Sequence, residues 1–244
     1  MTPRLVAGEM VELQRTFAST FEKQAAEVMA RREKFIIALC GGSVAVAFFP
    51  LLPSLAVNWT HVEVFWVDER AVPPTHPESN FALASRLFLV PARIPAERIH
   101  RMHGELPDLN QAARRAADEL KAVAGDPPLL DLAIVGVGED GHVASIFPSE
   151  ATGGVATAVA HERMGDPPVL AVHDSPKPPV RRLTLTLSVL AHSSLVIVAA
   201  FGASKADALR GAIHGSGSAT PVAELLRRAP ASLVLLDREA AGLS

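Results

Sequence analysis

An α/β fold, a single doubly wound and mainly parallel sheet with helices on both faces in the Rossmann-like manner, is predicted by three observations. Short apolar runs of strand length alternate along the chain with longer segments of helical periodicity. Glycine-rich turns follow several of these runs directly, as tight strand-to-helix connections require. The chain has 244 residues, 49% hydrophobic and 20% charged, enough to bury a full core in one domain spanning residues 1–244.

The elements follow in order. Phe17, Phe21, Ala25, Val28 and Met29 recur at helical spacing, which predicts an amphipathic helix from about Ala7 to Arg32. The apolar run Phe35 to Leu39 is a buried strand, and Cys40-Gly41-Gly42-Ser43 turns it into a second helix that Pro50 and Pro53 shorten and end. Val62 to Val67 is the next strand and leads straight into Asp68-Glu69-Arg70. Prolines 73, 74 and 77 mark an extended loop before a helix capped near Ser79 or Asn80, and a further helix covers Asn110 to Val123. From Asp131 a strand, Leu132 to Val135, meets Gly136, Gly138 and Gly141, which are expected to turn it into a helix with His142 at its start. Strands near Val169 to Val172, Leu183 to Leu187, Leu195 to Ala200 and Leu233 to Leu236, with helices near Lys205 to Arg210 and Val222 to Arg228, complete the alternation. Gly211 to Ser218 reads as a mobile loop.

Composition narrows the function classes. The formal charge of −3 and the lack of a basic run with interleaved aromatics argue against a nucleic-acid partner. A single cysteine, Cys40, excludes an intrachain disulfide and a cysteine-based zinc cluster, which suits a reducing cytoplasm. Met1 to Met10 lacks the apolar core of a secretory signal, and the longest apolar stretches are too short or too broken by proline to span a bilayer. The expectation is a soluble protein without a membrane partner.

In an open parallel sheet, ligands bind beyond the carboxyl ends of the strands, so three post-strand segments carry the chemistry. Gly41-Gly42-Ser43 fits either a tight βα turn or a backbone cradle for phosphate. Asp68-Glu69-Arg70 is either a surface ion-pair cluster or a site in which Arg70 clamps an anion and Asp68 orients an imidazole or a water. His142 is the candidate general base, because a helix start would favour anions and keep its ring unprotonated. The other histidines, among them His61, His76, His100, His192 and His214, show no ligand spacing and read as solvated or packed; no metal site is expected. Arg182 and Lys205, each next to a strand, are further candidates for phosphate contacts or simply solvated charges. Gly136, Gly138 and Gly141 also spell the dinucleotide fingerprint. Against that reading, the motif lies past the midpoint of the chain, Glu162 and Asp166 follow no obvious strand, and Pro148 leaves little room for a helix. Cys40 reads as a small buried group rather than a nucleophile.

Four ordered blocks resemble the 6-phosphogluconolactonase family, within the larger group that also contains glucosamine-6-phosphate deaminases. They are Phe65-Trp66-Val67-Asp68-Glu69-Arg70 with Pro77-Glu78-Ser79-Asn80; Gly136 through Pro148; Pro176-Lys177-Pro178-Pro179 leading to Arg182-Leu183-Thr184-Leu185-Thr186; and the tail from Pro221 to Asp237. The resemblance implies cofactor-free hydrolysis of 6-phosphogluconolactone to 6-phosphogluconate in the oxidative pentose phosphate route, by a monomer or weak homo-oligomer. It implies His142 as the base, and Gly41, Gly42, Ser43, Arg70, Arg182 and Lys205 around the phosphorylated sugar. The family often reads Ser-Gly-Gly-Ser-Thr-Pro where this chain has Cys40-Gly41-Gly42-Ser43-Val44-Ala45, so one threonine hydroxyl is missing while the glycines and Ser43 keep the cradle. The deaminases share Asp-Glu and Asp-Gly-His but continue Ile-Ala-Phe-Asn-Glu-Pro, and Val143 to Pro148 lacks that acidic residue. Beside lactone hydrolysis stand two alternatives: a deaminase-like isomerisation and a sugar-phosphate sensor without turnover.

Overall fold

The computed structural model describes residues 2–148, 167–213 and 220–243. Its main sheet has six parallel strands in the order β1-β9-β8-β5-β2-β3. These are β1 (Arg4–Gly8), β2 (Phe35–Leu39), β3 (Val62–Trp66), β5 (Leu132–Gly136), β8 (Val196–Ala200) and β9 (Ser232–Asp237). Every residue of β2, β3 and β8 is buried, as apolar strands covered on both sides must be. The chain steps from β2 to β3 in one direction and then from β5 through β8 to β9 in the other. With right-handed crossovers, that reversal places helices on opposite faces and opens a crevice beyond the carboxyl ends of β2 and β5.

Helix α1 (Met10–Met29) buries Leu13, Phe17, Phe21 and Ala25, one residue per turn. Phe17 stacks on Phe48 at 4.4 Å between ring centroids, and Phe21 meets Phe35 edge-on at 5.6 Å, which fixes α1 against both α2 (Gly42–Phe48) and β2. Helix α4 (Leu109–Ala124) begins on Asp108, whose carboxylate accepts from the amides of Asn110 and Gln111, and stops at Gly125 with a φ of 90°. The other helices are α3 (Asn80–Ala84), α5 (Leu187–His192), α6 (Ala206–Ile213) and α7 (Pro221–Arg228). None of the described helices is long and apolar enough to cross a membrane.

Several expectations need correction. The segment expected to be helical from Ala7 begins instead as edge strand β1, and Gly8 and Glu9 separate it from α1. The sheet is not single: β4 (Asp68–Arg70), β7 (Arg182–Leu185) and β6 (Val169–Val172) form a second, antiparallel sheet in that order. Val67 joins the two sheets, since its amide donates to Leu39 of β2 and its carbonyl accepts from Leu185 of β7. Helix α5 was unforeseen, and positions 211–213 of the expected mobile loop lie within α6; its positions 214–218, His214 included, fall outside the described residues, as do Glu162 and Asp166.

No helix begins at Gly141 among the described residues up to Pro148. The chain from Val137 to Phe147 instead curls into turns pinned by short bridges between Val137 and Val143 and between Val143 and Ile146. Gly141 has a φ of 80° and Ala144 a φ of 50°, both left-handed, and the Gly138 amide donates to the His142 carbonyl, so the backbone turns back on itself. A dinucleotide pyrophosphate would need a helix start here.

Candidate active site

The crevice between β2 and β5 holds an open cavity of about 230 Å³. Every residue predicted for the site lines it: Gly41, Gly42, Ser43, Asp68, Arg70, His142, Arg182 and Lys205. Four lining side chains are cationic, Arg70, Lys177, Arg182 and Lys205, against the single carboxylate of Asp68, so the cavity favours an anion. Arg70 of β4 and Arg182 of β7 are direct cross-strand partners. Like charges in that relation are destabilising, a cost that an anion between or beside them would offset.

His142 does not owe its setting to a helix dipole. Its Nδ1 lies 2.5 Å from Asp140 Oδ1, and its ring packs on Phe147 at 4.5 Å. Burial works to raise the Asp140 carboxyl, yet the hydrogen bond and charge of His142 hold it well below the usual carboxylate range. An ionised carboxylate only accepts, so Nδ1 carries a proton, and in the neutral tautomer the free electron pair lies on Nε2. Among the described residues Nε2 has no hydrogen-bond partner. Gly138 makes this arrangement sterically possible: a Cβ there would sit 1.9 Å from His142 Nδ1 and 2.7 Å from Asp140 Oδ1.

Asp68 was expected to orient the imidazole or a water; the imidazole is held by Asp140. Asp68 Oδ2 accepts from Ser145 Oγ at 2.7 Å and Oδ1 from Asn80 Nδ2 at 3.1 Å, in a site nearly closed to solvent. Glu69 faces the other way, as its place one residue along a strand requires. It accepts from the amides of Arg70, Asn80 and Phe81 and from Ser79 Oγ, which ties β4 to the start of α3. Asn80, the first residue of that helix, bonds both the carbonyl and the carboxylate of Asp68.

The cations differ in how much they have left to give. Arg70 donates through Nη1 to the Glu78 carbonyl at 2.7 Å, while its buried Nε has no partner. Arg182, at 4% exposure, donates to the carbonyls of Pro179, Lys177 and Pro178 and to Ser145 Oγ, leaving one of its five N–H groups uncommitted among the described residues. Lys205 lies in the 3-10 turn Ala203–Lys205 ahead of α6, with Nζ 3.4 Å from Glu139 Oε1. At the amino end of α2, the first amides have no intrahelical partner and adjoin the cavity. Cys40 lines the cavity from below, but burial, with the Asp68 charge added, pushes its thiol far up and removes it as a nucleophile.

Sequence reasoning gave no site role to Asp140, Ser145 or Lys177, and read Gly138 only as part of the turn after the strand. Asp140 stands two residues from His142, a spacing that signals a partner only once the turn is known to fold back. Lys177 lay in a quoted block, but its place in the cavity depends on the second sheet.

The family model for glucosamine-6-phosphate isomerases and 6-phosphogluconolactonases matches residues 9–239. A 6-phosphogluconolactonase of Mycobacterium tuberculosis is 38% identical over 223 residues, covering 87% of this chain and 86% of that protein. The 6-phosphogluconolactonase of Rattus norvegicus is 34% identical over 242 residues, covering 95% of this chain and 90% of that one. The solved 6-phosphogluconolactonase of Trypanosoma cruzi superposes with a TM-score of 0.84 at 26% identity, over 99% of this chain and 97% of that chain. A match running along nearly the whole chain, in sequence and in fold, places this protein in the glucosamine-6-phosphate isomerase/6-phosphogluconolactonase family.

Proposed function

We propose that the chain hydrolyses 6-phosphoglucono-1,5-lactone to 6-phosphogluconate, with His142 as general base. The observation that carries the mechanism is the His142–Asp140 pair, 2.5 Å apart, at a cavity with four cationic side chains. Curated relatives named for this activity, at 38% and 34% identity, support the substrate.

Asp140 holds Nδ1–H, so Nε2 takes a proton from water as the water oxygen bonds to the lactone carbonyl carbon. Negative charge forms on the carbonyl oxygen. When it collapses, the bond from that carbon to the ring oxygen breaks, and the imidazolium returns its proton to the departing ring oxygen, which becomes a hydroxyl. The new acid ionises in solution. General-base help of this kind is worth roughly 10² to 10⁴ in rate. The Gly41 to Ser43 amides, Arg70 and Lys205 bind the phosphorylated end and hold the carbonyl in register, with Arg182 contributing at most one donor.

A deaminase would need a further acid in the segment after the histidine. Position 147 is phenylalanine, and its ring packs against the imidazole. The decisive experiment follows loss of freshly made lactone against the spontaneous background, with glucosamine 6-phosphate as control substrate. Acceleration by the wild type, lost about 10²-fold or more in His142→Gln, is expected. Binding without acceleration would mark a sensor, and turnover of glucosamine 6-phosphate a deaminase.

A further inference from the structure

We infer that Lys177 supplies the positive charge that steadies the reacting carbonyl oxygen and the product carboxylate, and that Arg182 is the positioning residue that holds it there. This rests on the hydrolytic reading above.

Lys177 Nζ lies 3.9 Å from Asp140 Oδ1, the same oxygen that His142 Nδ1 approaches at 2.5 Å. Ammonium and imidazole therefore flank one carboxylate oxygen, with the ammonium on the cavity wall and its side chain 42% exposed. At that separation the ion pair is loose, so the ammonium keeps donors for a second acceptor. The lactone carbonyl must lie within reach of a water on His142, which brings its developing charge to this side of the cavity. Lys205 stands against a different carboxylate, Glu139, and the α2 amides belong to another strand end.

The backbone beneath Lys177 is tied unusually well for a loop. Its carbonyl accepts from Arg182 Nη2 and from Ser175 Oγ, both at 2.9 Å, and its amide donates to Ser175 Oγ at 3.3 Å. Ser175 in turn donates its amide to the Val180 carbonyl at 2.8 Å. The loop is wound around a buried guanidinium whose remaining bonds go to Pro178, Pro179 and Ser145. Burying a cation at that depth is costly unless its donors are met. Here most are met by the loop that carries Lys177, so Arg182 acts chiefly through that loop. A fixed backbone leaves only the lysine side chain to be ordered on binding. No proton leaves Lys177 in the reaction; it contributes charge alone.

The test uses full-length protein with Lys177→Met, Arg182→Lys and the double variant, and two inhibitors. 6-Phosphogluconate carries both phosphate and carboxylate, whereas inorganic phosphate reports the phosphate end alone. Lys177→Met should lower kcat about tenfold or more and weaken 6-phosphogluconate about tenfold, with inorganic phosphate changed less than about twofold. Arg182→Lys should show the same pattern more weakly, and the double variant should be no worse than Lys177→Met. An unchanged kcat in Lys177→Met would overturn the inference, as would equal weakening of both inhibitors or losses that multiply in the double variant. Failure of the wild type to accelerate lactone loss would instead overturn the hydrolytic reading itself.

Discussion

Replacing Gly138 with alanine isolates the geometry of the His142–Asp140 pair from its chemistry, because neither residue is altered. The backbone at Gly138 lies outside the left-handed region, so alanine brings no conformational penalty of its own. Its Cβ, however, would lie 1.9 Å from His142 Nδ1, 2.0 Å from Cε1 and 2.7 Å from Asp140 Oδ1, where contacts of 3.4 Å or more are ordinary. The ring must withdraw by about 1.5 Å to clear the first contact, which breaks its 2.5 Å bond to Asp140. A displacement of about 1 Å at a catalytic group costs about 10² in rate.

The same change should leave the fold nearly intact, because His142 lines an open cavity into which its ring can swing. We expect Gly138→Ala to lower kcat about 10²-fold while Tm moves by no more than about 3 °C, the equivalent of about 1 kcal/mol in a chain of this size. Gly136→Ala, whose Cβ would meet only Val44 Cγ2 at 3.5 Å, is the control and should lose far less. Lactone loss monitored by proton release, corrected for spontaneous hydrolysis, reads the first quantity and a thermal melt the second. A Gly138→Ala enzyme within about threefold of wild type would refute the claim that the ring must sit over this glycine.

Three further outcomes follow from single contacts. In Glu69→Gln, an NH₂ group replaces an oxygen that now accepts two donors, so denaturant unfolding should show a loss of about 2–3 kcal/mol; a loss under about 0.5 would mean the β4 to α3 link is not fixed by this carboxylate. The Arg101 fork holds Glu105 down to about 2, so its stabilising contribution is complete above the unfolded value of about 4.3 and fades as pH falls through the folded one. The Tm gap between wild type and Glu105→Gln should accordingly be constant above about pH 5 and shrink towards pH 2; a gap that widened on acidification would contradict the sign. Cys40 should react with an aromatic disulfide reagent at pH 8 only as fast as the protein opens, and rapid labelling of the native state would show that the thiol is not held protonated by burial.

The main sheet was legible because parallel strands buried on both faces are written as unbroken apolar runs, Phe35 to Leu39 being the plainest. Short β4 was not, because its three residues are charged and its pairing comes from β7, more than a hundred positions away. Edge strand β1 escaped for a similar reason: its partner is the last strand of the chain, and its exposed residues carry no strong pattern. That the predicted residues would meet at one cavity was legible, since rules about strand ends need only the position of each strand. Their partners were not. A strand-end position makes Asp68 a partner for either the imidazole or a water, whereas the left-handed backbone at Gly141 and Ala144 turns the chain so that Asp140 holds the ring.

The second sheet explains why a general α/β crevice becomes a site for this kind of substrate. A parallel sheet alone offers glycine turns and amides at its carboxyl edge, which suit many anions equally. Here β3 runs on through Val67 into β4, and β7 lies across it, so Asp68 and Arg70 are paired with Thr184 and Arg182 above the end of the main sheet. Ser145 binds Asp68 and accepts from Arg182, which fastens the turn carrying His142 to this upper layer. Imidazole, charged wall and lysine loop are thus anchored to one small sheet, while the amides stay with the large one. A ligand long enough to reach both layers is held at two ends, and only then does the imidazole face a fixed atom.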